Sequence, residues 1–232
     1  MYVGTSVVCR KNPTGFPCPP QGRYLQLGVL TTDVVKLRQR NSVNPGRQVF
    51  REEKITQMAA FFLDRANGSM NHIKLMKLLY AADRQSMEEY GYPISYDSLS
   101  SMPFGPVLSG AVNLLYDDPF VNTAGTWRQW IGAMVDNKVA LLRRVTSDTE
   151  LGALSEADLE ILQGVYEEFG SMRRFDVVEY MHEAFPEYTD PGASSLPIRY
   201  SDVFTALGYE ADDAKVMEQE IQLVRQEGMR AT

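Results

Sequence analysis

The sequence predicts a mainly α domain of the α+β kind, a compact helical body carrying a small antiparallel β-hairpin or sheet. Three observations lead there. From Asn71 to Tyr90, apolar residues (Ile73, Leu75, Met76, Leu78, Leu79, Ala82) recur at spacings of three and four over a face wide enough for a helix in the middle of a bundle. From Ser155 to Gly170, a second apolar stripe (Leu159, Leu162, Val165, Tyr166, Phe169) follows a start with capping-box spacing, Asp158 standing where Glu is usual. Between Trp127 and Val145 the period changes, and Asp136-Asn137 at its centre suits a tight hairpin turn.

Taken in order, Met1 to about Asn44 is poorly patterned. Pro13, Pro17, Pro19 and Pro20, with Gly15 and Gly22 among them, favour turns and extended backbone over packed structure. A short helix or strand over Leu25–Leu37 is the one element it suggests. Residues 1–48 are therefore expected to be a flexible basic extension, and residues 49–228 the folded domain. A translation start assigned too early is the alternative, although the next methionine, Met58, falls inside a predicted helix. That helix runs from Phe50 to Ala66, with Ile55, Met58, Ala59, Phe62 and Leu63 at helical spacing and Asn67-Gly68 as its stop.

The central helix follows at once. Asn71 can cap its start, Gly91 can end it in the left-handed conformation, and Pro93 blocks continuation. Tyr92–Phe104 reads as a connector. Pro106 fits the first turn of a third helix to Tyr116, closed by Asp117-Asp118-Pro119. Beyond the hairpin and the capped helix, Arg173–Phe185 is a helix with Phe175, Val178, Met181 and Phe185 inward, stopped by Pro186. Tyr188–Leu196 is a loop, Ile198–Leu207 a short helix, and Ala211–Gln226 a polar helix with a thin stripe of Met217, Ile221 and Val224.

Composition narrows the function class. The 232 residues are 44% hydrophobic and 23% charged, enough for a core and ordinary for a soluble protein. No apolar run approaches the ~18–20 residues that span a bilayer, and no secretory signal is visible, so a cytoplasmic protein is expected. Cys9 and Cys18, nine apart in the Pro/Gly-rich segment, could pair, but reduced thiols are the simpler reading. The net charge of −7 hides an asymmetry: residues 1–50 hold seven Lys/Arg and one Asp, leaving 16 Lys/Arg against 29 Asp/Glu in the rest, net −13. An acidic domain repels phosphate backbones and attracts basic protein partners, unless its charge serves only solubility.

The residues with chemical potential do not assemble into an active site. His72 and His182 lack metal-ligand spacing, and there is no phosphate-binding loop or nucleophile elbow. No catalytic residue, metal or cofactor is expected. Asp83-Arg84 lies on a helix that should be largely buried, so the pair needs partners: each other, loop backbone or another chain. Anchoring the Ser95–Gly105 connector is the first reading, binding a partner the second. Lys74, Lys77, Tyr80 and Arg84 share one helix face, either a solvated stripe or a basic recognition patch. His182 reads as a helix-terminal or satisfied histidine, and Gly105-Pro106 as a turn.

The same stretch carries a family resemblance. Lys74-Leu75-x-Lys77-Leu78-Leu79-Tyr80, Ala82-Asp83-Arg84, Gly91-x-Pro93-Ile94, Asp97, and Met102-Pro103-x-Gly105-Pro106-Val107-x-Ser109 resemble the Panacea domain of SocA-like antitoxins. His182, Pro186-Glu187, Asp190-Pro191-Gly192, Ser194-Ser195-x-Pro197-Ile198 and Tyr200-x-Asp202 resemble its closing segment. The resemblance runs from roughly Arg51 to Gly208 and implies a bacterial or phage antitoxin that neutralises a cognate toxin protein, encoded by an adjacent gene, through direct binding. If the Lys74, Lys77, Tyr80 and Arg84 face of the central helix is a recognition patch and not a solvated stripe, partner contacts are expected there and in the region joining that helix to Gly105-Pro106. The alternatives are an adaptor delivering its partner to an ATP-dependent protease, or another phage or host interaction protein. An enzyme or DNA-binding regulator is disfavoured by the missing constellations and the acidic charge.

Overall fold

Helix α1, Glu52–Arg65, sets the floor of the core with Ile55, Met58, Ala59, Phe62 and Leu63 all fully buried. This computed structural model describes residues 52–116 and 125–229. The expected extension over residues 1–48, the Leu25–Leu37 element, the first two residues of the predicted first helix and the Asp117-Asp118-Pro119 stop lie outside the described residues. After α1, Asn67 and Gly68 take φ of 59° and 91°, and the Gly68 amide donates to Leu63 O at 2.8 Å, satisfying a terminal carbonyl.

Strand β1, Ser69–Asn71, leads into α2, His72–Tyr90. Both expected caps are present. The Asn71 side chain accepts from the Ile73 amide at 3.0 Å, and Gly91 ends the helix at φ 78° with its amide on Met87 O. Twelve of the 19 residues of α2 are buried, Lys77, Asp83 and Ser86 included, so it is the helix around which the others pack.

The stretch after α2 departs from the expected connector. Leu99–Met102 is a strand, β2, paired antiparallel with β3, Gly105–Leu108, in a register that sets Ser101 opposite Pro106 and Met102 opposite Gly105. Pro106 therefore lies in a strand and not in the first turn of a helix. Strand β2 is flanked on its other side by Leu196–Ile198, so β3 is an edge of the sheet, where a missing N–H costs no ladder bond. Helix α3, Ser109–Tyr116, begins three residues later. Asp97 supplies its cap from outside, Oδ1 accepting from the Gly110 amide and Oδ2 from the Ala111 amide, a carboxylate at a helix N-terminus.

The predicted hairpin is half correct. Asp136 and Asn137 take φ of 49° and 60°, the double positive turn, and Lys138–Ala140 is strand β4. The arm before the turn is helix α4, Thr126–Trp130, and β4 pairs mainly with β1, Met70 opposite Val139. Trp127 and Trp130 are three apart and both buried, a helical spacing. Glu52 fixes the helix start by accepting from the Trp127 amide at 2.7 Å and the Gly125 amide at 3.0 Å.

A 3-10 turn at Asp148–Glu150 precedes α5, Glu156–Phe169, whose capping box between Ser155 and Asp158 is complete. In α6, Arg174–Ala184, Val177, Val178 and Met181 face the core, followed by Phe185. Phe175, expected inward, is 51% exposed because it lies off the Val178–Met181 stripe. Strand β5, Leu196–Ile198, begins at the last residue of the predicted loop, takes the first residue of the predicted Ile198–Leu207 helix, and joins β2 with Leu99 opposite Ile198. Helix α7, Tyr200–Ala206, and α8, Ala211–Met229, close the fold, α8 burying Ala214 and Ile221. Among the described residues the result is eight α-helices with antiparallel sheets of two and three strands, a mainly α fold with some β.

Candidate partner-binding site

The predicted face of α2 turns inward. Lys74, half-buried, donates to Gly170 O at 2.7 Å and Met172 O at 2.6 Å, a cation on the carbonyls that close α5. Partial burial lowers its amine pKa. Lys77 is 1% exposed and donates to Pro106 O at 2.8 Å. Burial pushes its pKa down to about 7. Tyr80, also 1% exposed, donates to Glu187 Oε1 at 2.9 Å, and Arg84 Nε donates to the same oxygen at 2.9 Å. The Arg84 guanidinium also lies 4.3 Å from the Phe185 ring centroid. Tyr80's hydroxyl is held well above its ordinary value by burial and by Glu187.

Asp83 and Arg84 do not pair with each other. Asp83 Oδ1 accepts from the Ser95 amide at 2.9 Å and Oδ2 from the Ser95 hydroxyl, which anchors the connector as its burial required. Burial raises Asp83 to about 7, against the pull of the two Ser95 bonds. Asp97 is raised to about 6 by burial, opposed by the amides of Gly110, Ala111 and Ser98. Ser109 bonds Ser100 through their hydroxyls at 2.7 Å, and Pro93 is buried just beyond the Gly91 cap.

The closing segment crosses this face. His182, exposed in the last turn of α6, stacks on Tyr188 with ring centroids 4.3 Å apart and planes 8° from parallel. Its pKa is lowered by burial and then by the Lys77 charge. The Tyr188 hydroxyl reaches Met102 O at 3.3 Å, and the Thr189 amide reaches Ser101 Oγ at 3.3 Å. Gly105 lies under this stack at φ 95°; a Cβ there would be 3.1 Å from His182 Nε2 and 3.3 Å from Lys77 Nζ. Asp190 accepts from the Gly192 amide in an exposed turn, Ser194 and Ser195 are exposed beyond it, and Pro197 lies in β5 opposite Ser100.

Sequence reading set Lys74, Lys77, Tyr80 and Arg84 on a face open to solvent or to a partner, and that face looks into the fold. It also gave no role to Glu187, 103 residues from Arg84 in the chain, because no periodicity links an α2 residue to a loop after α6. Phe104 was likewise missed. It stands 51% exposed in the β2–β3 turn with its ring 6.4 Å from that of equally exposed Phe175, which the Arg174 guanidinium covers at 4.5 Å. A locally odd signal was present: an aromatic between Pro103 and Gly105, where a turn needs none.

Among the described residues, no group of three or more His, Cys, Asp or Glu side chains is placed to hold a metal ion, and no helix is long and apolar enough to cross a membrane. The arrangement fixes a turn, a loop and a sheet edge against α2, and presents an aromatic pair on the surface. No curated protein and no solved structure matches the chain. Residues 75–186 match the profile of the family described as antitoxin SocA-like, Panacea domain.

Proposed function

We propose that the chain is the antitoxin of a bacterial or phage toxin–antitoxin pair and neutralises its cognate toxin, the product of an adjacent gene, by direct binding. The match to an antitoxin family suggests the toxin–antitoxin role in general. The observation that supports binding is the exposed Phe104–Phe175 pair, Phe175 on helix α6 and Phe104 on a turn next to Pro106, whose carbonyl is fixed from beneath by Lys77. Aromatic and Arg side chains concentrate binding energy when they project from a rigid support. Lys74, Lys77, Tyr80 and Arg84 then serve recognition indirectly: they hold the α5 end, the β2–β3 turn and the closing segment in place. Arg174, over Phe175, supplies the accessible cation that the α2 face does not.

Co-expression tests this reading. The wild-type chain should rescue cells from the neighbouring toxin and co-purify with it through an interface of roughly 1,200–2,000 Å². A Phe104→Ala/Phe175→Ala protein should keep its helical circular dichroism and lose rescue, with binding weakened by about 2 kcal/mol or more. Failure of the wild-type chain to bind or rescue against any adjacent toxic gene removes the antitoxin reading. Rescue lost only in protease-deficient cells identifies delivery to a protease instead.

A further inference from the structure

The β2–β3 turn rests on two titratable nitrogens that come from different elements. Lys77 of α2 is buried, and its amine meets the Pro106 carbonyl at 2.8 Å and no carboxylate among the described residues. His182 of α6 reaches the same place from the solvent side: a Cβ on Gly105 would be 3.3 Å from Lys77 Nζ and 3.1 Å from His182 Nε2. The two nitrogens are thus neighbours over one backbone position, and like charges so close oppose each other's formation. The groups around them are largely committed elsewhere. On α2, Tyr80 and Arg84 both donate to Glu187 Oε1, and Lys74 donates to the carbonyls of Gly170 and Met172. Strands β2 and β3 carry no titratable side chain. Near α6, Arg173 pairs with Asp176, Arg174 covers Phe175, and Glu179 and Glu183 are exposed. In the closing segment Tyr188 stacks on His182, and Asp190, which favours a charge on that ring, is exposed. The turn is also tied only loosely on its outer side. The Tyr188 bond to Met102 O and the Thr189 bond to Ser101 Oγ are both 3.3 Å, long for their kind.

We propose that the β2–β3 turn is a proton-operated latch: it is seated while Lys77 and His182 carry no more than one positive charge between them, and it lets go, drawing Phe104 away from Phe175, when both are protonated. One ammonium is accommodated by the Pro106 carbonyl. A second cation beside it adds repulsion in a place that water reaches poorly, and the loosely tied turn is the part that yields. Burial brings Lys77 down to about 7, so it charges first as pH falls. Burial and then the Lys77 charge hold His182 below its ordinary value, so it charges second and release falls on the acid side of neutral. Asp83 and Asp97 cannot produce this response, because they lose their charge as pH falls and that favours the fold. For the chain as a binding protein, the reading on which this consequence rests, acid withdraws the aromatic pair from the partner.

The test needs no toxin, so its failure is distinct from failure of the antitoxin reading. Nuclear Overhauser contacts between the Phe104 and Phe175 rings are followed in the full chain from about pH 8 to about pH 5, across the range in which the two groups titrate. They are expected at the upper end and lost, reversibly, at the lower, in step with the titration of the His182 Hε1 proton. Contacts between the buried Phe61 and Phe62 rings should persist throughout. His182→Gln, a change at an exposed residue, removes one of the two charges and should keep the Phe104–Phe175 contacts at the acid end. Lys77→Met should keep them too and should raise the pH at which His182 titrates; His182→Gln decides the matter if Lys77→Met does not fold. The proposal is overturned if the wild-type contacts survive at the acid end or vanish together with those of the core. It is also overturned if either folded variant loses them as wild type does, or if Lys77→Met leaves the His182 titration unmoved.

Discussion

Lys77, Asp83 and Asp97 are three buried groups whose burial opposes their charge, and their pH signatures differ in sign. Lys77, lowered from 10.5 to about 7, adds stability that is fully present above its unfolded value and is lost as pH falls through about 7. Asp83 and Asp97, raised from 3.8 to about 7 and about 6, add stability that is present below pH 4 and is lost as pH rises through those values. The three together place a trough in stability near neutral pH. Lys77→Met should abolish the rise above the trough, its stability diverging from wild type by up to about 1.4 kcal/mol per pH unit between pH 7 and 10. Urea midpoints across that range check it, and an unchanged slope in the variant rejects a near-neutral Lys77. Arg84 behaves differently, since its partner Glu187 is fully buried. Arg84→Ala strands that carboxylate with only the Tyr80 hydroxyl and should cost about 3 kcal/mol in chemical denaturation. Adding Glu187→Gln should recover part of the loss, because the stranded charge goes with it.

At the scale of elements, the β2–β3 turn joins the buried network to the surface. Gly105 sits at φ 95° beneath His182 and above Lys77, so two constraints meet at one residue. Gly105→Ala should lose about 1–2 kcal/mol from backbone strain alone. It should also displace the His182 ring, read from the chemical shift of its Hε1 proton; an unmoved ring means the stack does not depend on this contact. Helix α4 depends on a residue 75 positions away, Glu52, for its N-terminal donors. Glu52→Ala should therefore cost about 1–3 kcal/mol, with faster amide exchange at Trp127 than in the rest of the core.

For the whole molecule, the charge asymmetry carries the expectation. Residues 1–50 are basic and residues 51–232 acidic, and the composition of the first segment offers little to bury. Deleting residues 1–48 should change the melting temperature by only a few degrees, as calorimetry of the two lengths would show; a large drop assigns the segment to the fold. A complex formed by the acidic domain with a basic partner should weaken as salt rises, most steeply for contacts at its rim.

What the sequence determined is what local spacing encodes. The Asn71 and Gly91 caps, the Ser155–Asp158 box, the double positive turn at Asp136-Asn137 and the apolar stripes of α1, α2 and α5 depend on neighbours within a few residues, and each appears as expected. The family resemblance rests on the same kind of information, ordered motifs along the chain. Tertiary structure decided the rest. Lys77 and Tyr80 are polar residues on a plausible solvent face until strand β3 takes up the first and the closing segment, more than a hundred residues later, takes up the second. Pro106 fits a helix start until β2 and β5 make its strand an edge. Trp127 reads as a strand residue until Glu52 takes the amides at the start of the Thr126–Trp130 helix. In each case a long-range partner satisfies a backbone or charged group that local sequence leaves open, and buried groups follow their partners wherever the fold supplies them.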